Sequence, residues 1–166
     1  KALGLPASMI SDDTTFLRRV SVDLAGRLPT LEEAEAFIAD QAPNKRENLV
    51  NKLLDSTDYA DYFANKWNAI LRNKRQNEGE KKATYGFHEW IRQSVHEYAP
   101  DDQFVREILT ATGTPGQNPP VGWYREVKES SAQLEDTAQL FLGLRIQCAR
   151  CHHHPFEKWS QQDYYG

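Results

Sequence analysis

Cys148, Cys151 and His152 stand in the spacing Cys-x-x-Cys-His, with Ala149 and Arg150 between the thiols. They include the only two cysteines of the chain. Two thiols three positions apart can add across the two vinyl groups of one porphyrin, and the adjacent imidazole then lies under the iron. A neutral imidazole nitrogen is a usual proximal ligand. The spacing therefore predicts one covalent haem c per chain. Electron transfer is the function expected of it, because covalent attachment keeps a haem bound through repeated redox cycles.

Other chemistries use the same residue types. A zinc site draws four ligands, usually as two pairs from separate segments. Here Cys148, Cys151, His152, His153 and His154 crowd into one run, and no second Cys/His pair lies elsewhere. Zinc, or another bare metal holding a structural or interaction domain together, is the first alternative. A redox disulfide of the thioredoxin kind sits at a strand-to-helix junction, and no βαβ pattern surrounds this motif. A disulfide or a pair of free thiols is the weaker rival. A third reading is a five-coordinate haem that binds a small ligand.

Further groups bear on the iron. Its second axial position has His88, His96, His153, His154 and Met9 as candidates, or stays open. On a helical wheel for residues 87–98, Phe87, Ile91, Ser94, Val95 and Tyr98 share one face. His88 lies at the edge of that face and His96 points away, so His88 is the predicted distal ligand. His154 is the alternative metal ligand, or a partner for a haem propionate. Arg145 and Arg150 flank the motif, and a planar guanidinium suits a propionate. Four Trp, seven Tyr and seven Phe could wall a porphyrin from water.

The elements that must position these groups read as helices nearly throughout. Asp12 or Asp13 caps a first helix with Phe16, Leu17, Val20 and Leu24 on its apolar face, ending at Gly26. Thr30 and Glu33 form a capping box for a second, with Ala34, Phe37 and Ile38 inward. Residues 44–54 predict a third, and Ser56 or Thr57 caps a fourth running to Leu71. Residues 83–98 and 101–109 follow. Ser130 or Ser131 opens a seventh, which leads straight into the cysteines. Residues 72–82 and 112–122 are expected as long loops, the first for its unpatterned charge, the second for its Gly and Pro. The predicted fold class is all-α: a single domain over residues 1–166, of about seven helices, with a C-terminal Cys-x-x-Cys-His segment.

Composition narrows the function classes. A net charge of −4 over 166 residues gives no global field to recruit nucleic acid or an anionic membrane. No segment approaches the roughly 18 apolar residues of a membrane span. The chain starts at Lys1 and stops at Gly166 without a polar tail, so it is expected to be a fragment of a longer protein. Haem attachment to reduced thiols takes place outside the cytoplasm. A periplasmic or otherwise exported envelope protein is expected, its precursor carrying a signal peptide or anchor upstream.

Several stretches resemble one family. Phe16-Leu17-Arg18-Arg19-Val20, with Asp23-Leu24-Ala25-Gly26-Arg27-Leu28-Pro29-Thr30, is similar to the opening of the planctomycete cytochrome-c-like domain of unknown function. Further matches are Phe87-His88-Glu89-Trp90, Asp102 to Glu107, and Leu140 to Gly143. The run from Gln147 to Phe156, then Trp159 and Asp163-Tyr164-Tyr165, resembles the family's most recognisable segment. The resemblance implies a large exported multidomain protein, with redox partner domains in the same polypeptide or envelope. It matches Cys148, Cys151 and His152 to the haem motif and His154 to a second histidine. His153 stands where the family commonly has an acidic or amide residue.

Overall fold

A computed structural model describes residues 8–75 and 77–166; Lys1, from which the fragment expectation starts, lies outside them. The described residues contain eight α-helices and three 3₁₀ turns, and none of those residues is in a strand. The expected all-α class is what the chain adopts. It divides into two compact units, one of residues up to Trp67 with Ile91–Tyr98, the other of Asn68–Trp90 with Ala99–Gly166.

In the first unit, α1 spans Asp13–Ala25, α2 Leu31–Ala39, α3 Lys45–Leu54, and α4 begins at Thr57 and ends at Ile70. The Asp12 carboxylate accepts from the Thr15 amide at 2.7 Å and so satisfies one orphan donor of the first turn. Leu17, Ser21 and Ala25 are the buried positions of α1, an i, i+4, i+8 row. Leu17 is buried as expected, while Phe16, Val20 and Leu24, expected on the same face, flank it half-buried. Ser21 and Ala25 are small enough to let neighbouring helices approach, and the bulky side chains fill the flanks. Gly26 then closes α1 with φ +68°, where a Cβ would stand 2.3 Å from the Tyr62 ring. Both the left-handed backbone and the ring require glycine there.

Thr30 and Glu33 form the expected capping box of α2. The Glu33 carboxylate also takes the Arg27 guanidinium through both oxygens, at 2.8 and 2.9 Å, while Arg27 Nε reaches Asp58 at 2.7 Å. Phe37 is buried, but Ile38 is half exposed rather than inward, because Phe37 already occupies the direction that faces the core.

In the second unit, α5 begins at Lys81 and runs to His96, crossing into the first unit after Trp90. It is followed by α6 over Asp101–Leu109, α7 over Ser130–Phe141 and α8 over Gln161–Tyr165. Phe87, Leu71, Ile108, Trp123 and Val127 are essentially inaccessible to water and form the core of this unit. Trp90 stacks on Phe104 at 4.9 Å, tying α5 to α6.

Both expected loops are shorter than residues 72–82 and 112–122. Glu78–Glu80 is a 3₁₀ turn leading directly into α5 at Lys81. Its glutamates suit the positive end of the helix, which needs no apolar pattern in an exposed first turn. Gln76, inside that expected loop, lies outside the described residues. Pro119–Arg125 is likewise a 3₁₀ helix. Its prolines lie where a helix starts and lack only N–H groups that would be orphaned anyway, and Trp123 anchors it.

Candidate functional site

The Cys-x-x-Cys-His segment does not continue α7, as the sequence reading expected. α7 ends at Phe141, and Gly143 turns the chain with φ +67°. The Leu144 amide then returns to the Ala138 carbonyl at 2.9 Å. A 3₁₀ turn over Gln147–Arg150 follows, with the Cys151 amide bonded to the Cys148 carbonyl at 3.3 Å.

That turn decides which way the motif faces. Cys148 lies within the turn and Cys151 caps it. Both thiols are free and exposed. Ala149, between them, is wholly buried in a cluster with Ala138, Ile146 and Tyr164, against which Leu144 and Trp159 pack. A cleft of about 140 Å³ opens beside this cluster, lined by Leu134, Leu142, Leu144, Ile146, Trp159 and Tyr164 among others.

α8 packs against the turn and holds it. Ser160 and Asp163 form a capping box that starts it, and Ser160 holds the Asp163 carboxyl below its ordinary value. Gln161 Nε2 and the Tyr165 hydroxyl both donate to the Arg150 carbonyl, at 3.0 and 3.3 Å. The Tyr164 hydroxyl donates to Glu135 of α7 at 2.7 Å. Burial, with the Glu135 carboxylate second, pushes that hydroxyl up to about 12.

The histidines separate by their hydrogen bonds. His152 is exposed, and its Nδ1 lies 2.6 Å from the His153 carbonyl oxygen. A carbonyl only accepts, so Nδ1 carries a proton, and in the neutral ring Nε2 is then the nitrogen with the lone pair. His154 Nε2 lies 2.9 Å from the Arg145 carbonyl, and its Nδ1 receives the amides of Phe156 and Glu157 at 3.3 and 3.0 Å. Both His154 nitrogens are thus committed to main chain, and the alternative of His154 as a metal ligand has no lone pair to use in this arrangement. Arg145 and Arg150 have exposed side chains.

A family match accompanies this arrangement, and it covers residues 1–166. The chain belongs to the PSCyt2 family. The family is described as protein of unknown function (DUF1549). No curated protein and no solved structure matches this PSCyt2 chain.

The remaining candidates of the PSCyt2 chain are dispersed. His88 is half-buried on α5 and engaged by a neighbour, while His96 is exposed, as the helical wheel predicts. Met9 is 96% exposed. Among the described residues, no group of three or more His, Cys, Asp and Glu side chains is arranged to hold a metal ion. No helix among them is long and apolar enough to cross a membrane.

Ala149, Glu135, Ser160 and Tyr164 were not singled out from the sequence as positioning groups. The Ser-x-x-Asp pattern at Ser160 and Asp163 was the available signal for α8. Nothing comparable marks Glu135, whose partner lies 29 residues away.

Proposed function

We propose that this PSCyt2 chain is a c-type haem-binding electron-transfer domain of an exported multidomain protein, of the cytochrome-c-like kind described mainly from planctomycetes. One observation carries the reading. Both thiols of the turn are exposed, and the His153 carbonyl sets a proton on His152 Nδ1, which in the neutral ring leaves Nε2 the lone pair. A backbone carbonyl on the second nitrogen is the usual way a ligating histidine is oriented and made more basic.

The residues present fit the group. Cys148 and Cys151 would form the two thioether links, each thiol hydrogen passing to a vinyl carbon as sulfur bonds to its neighbour. His152 would supply a nitrogen ligand, and the exposed guanidinium groups of Arg145 and Arg150 would suit propionates. The bound haem supplies a one-electron couple. The chain's own part is to hold the turn rigid, through Ala149 in the buried cluster and α8 beside it. His88 would supply a second nitrogen ligand. Zinc fits less well, because a structural site gathers four donors and the described residues assemble no such set.

A visible spectrum of protein matured in a periplasm competent for haem attachment tests this. Sharp Soret and α bands that survive denaturation are expected. A colourless protein with stoichiometric zinc would overturn the reading.

A further inference from the structure

His154 closes a loop that contains both cysteines and His152. From its ring, Nε2 reaches the Arg145 carbonyl on the near side of the motif. Nδ1 takes the Phe156 and Glu157 amides on the far side. Its own amide donates to the Trp159 carbonyl at 2.8 Å. Four main-chain groups from two ends of the segment therefore converge on one residue.

The chemistry of those partners fixes the proton. Carbonyl oxygens only accept and amides only donate, so Nε2 must be protonated and Nδ1 must be bare. His152, two residues earlier, has the reverse arrangement, with Nδ1 protonated against the His153 carbonyl. The two rings are locked in opposite tautomers by main-chain groups alone. In the neutral ring His152 keeps its lone pair on Nε2, whereas both His154 nitrogens are engaged.

We infer that His154 is the clasp of the Cys-x-x-Cys-His loop, a positioning residue in the Nε2–H tautomer that presents His152 and does not itself ligate. The clasp stands on the loop's hydrogen bonds; only its consequence for a bound iron rests on the haem reading above. Side chains that replace one half of it should separate its two functions. The Oδ1 of an asparagine falls near the place of Nδ1 and can accept the two amides. The amide nitrogen of a glutamine falls near Nε2 and can donate to Arg145.

The tautomer is read on the unaltered chain by long-range ¹H–¹⁵N correlation of the His154 ring, in coloured or colourless protein alike. An Nε2–H pattern is expected, and an Nδ1–H pattern would overturn the inference without any variant having to fold. His154→Ala should speed exchange of the Phe156 and Glu157 amides on the order of tenfold, His154→Asn should restore their protection, and His154→Gln should not. Equal exchange in all four proteins would also overturn it. In coloured protein, His154→Ala should shift the iron-coupled resonances of His152, and His154→Asn should return them. A colourless chain with the Nε2–H tautomer refutes the haem reading alone, whereas a coloured chain with the Nδ1–H tautomer refutes the clasp alone.

Discussion

The Tyr164 hydroxyl donates to Glu135 at 2.7 Å and fastens the five-residue helix α8 to the middle of α7. So short a helix has little stability of its own, since nucleation costs more than one turn returns. Its position depends on the capping box beneath it and on this bond. Tyr164→Phe keeps the ring in the core cluster and deletes only the donor. A loss of about 1–3 kcal/mol is expected in urea unfolding, as for a hydrogen bond to a charged group. Faster amide exchange should be confined to α8 and the motif turn. An unchanged midpoint with unchanged exchange would show that packing alone holds α8.

Gly26 is a second point where one substitution reports on geometry. Alanine there must adopt φ +68° and push the Tyr62 ring aside. The strain alone is worth about 1–3 kcal/mol. The melting temperature should fall by about 2–4 °C for each of these. Gly116→Ala is the control, because a Cβ there meets nothing within 4 Å. Equal effects at the two positions would refute the argument.

The Arg27 fork makes stability depend on acid. Glu33 is held at about 2, below its ordinary 4.5, first by the Arg27 guanidinium and next by the Thr30 amide. Its folded value lies below the unfolded one, so the contribution is complete above 4.5 and is lost as the pH falls toward 2. Arg27→Gln removes the larger cause. Its unfolding free energy, followed by urea titration across that window, should fall less steeply with acid than that of the parent chain. Parallel slopes would mean the fork is not what lowers Glu33.

Most of the helical scaffold was legible, because caps and apolar periodicity are local. Thr30 with Glu33, Gly26 after Ala25, and Ser130 at the head of α7 each mark a boundary with residues a few positions apart. The misread parts follow from rules that look alike in sequence. Pro119 and Pro120 read as breakers in the sequence, although proline also opens helices. Ser21 and Ala25 do not stand out beside Phe16 and Leu24, since close helix approach is not written in hydrophobicity. At the candidate site the thiols and His152 stood out by spacing. The division of labour between His152 and His154 did not, because a tautomer is set by carbonyls and amides that only the folded turn brings near.

The thiols themselves should be separable from the fold. Cys148 and Cys151 are exposed and lie outside the core cluster built on Ala149. Cys148→Ser and Cys151→Ser are therefore expected to change stability by less than about 0.5 kcal/mol in the cofactor-free chain. After periplasmic maturation, each single variant should keep one thioether and the double variant none. Haem remaining with the chain through acid–acetone extraction of the double variant would refute attachment at these residues. Circular dichroism of the same samples checks that the helices persist.

The proposed second ligand of a bound haem is tested at His88. It is the histidine outside the cluster that combines partial burial with a place at the edge of the apolar face of α5. Ligation by two imidazoles would make the iron low-spin in both oxidation states and slow to take up weak ligands, which suits electron transfer. An open position would instead give a high-spin ferrous spectrum and rapid carbon monoxide binding. The matured protein is expected to show the first behaviour, and His88→Ala the second. His96→Ala, at an exposed position of the same helix, should leave the spectrum unchanged. A low-spin spectrum retained in His88→Ala would assign the second ligand to another residue and leave His88 its structural contact alone. Carbon monoxide binding by the parent chain itself would point instead to a domain that takes up small ligands.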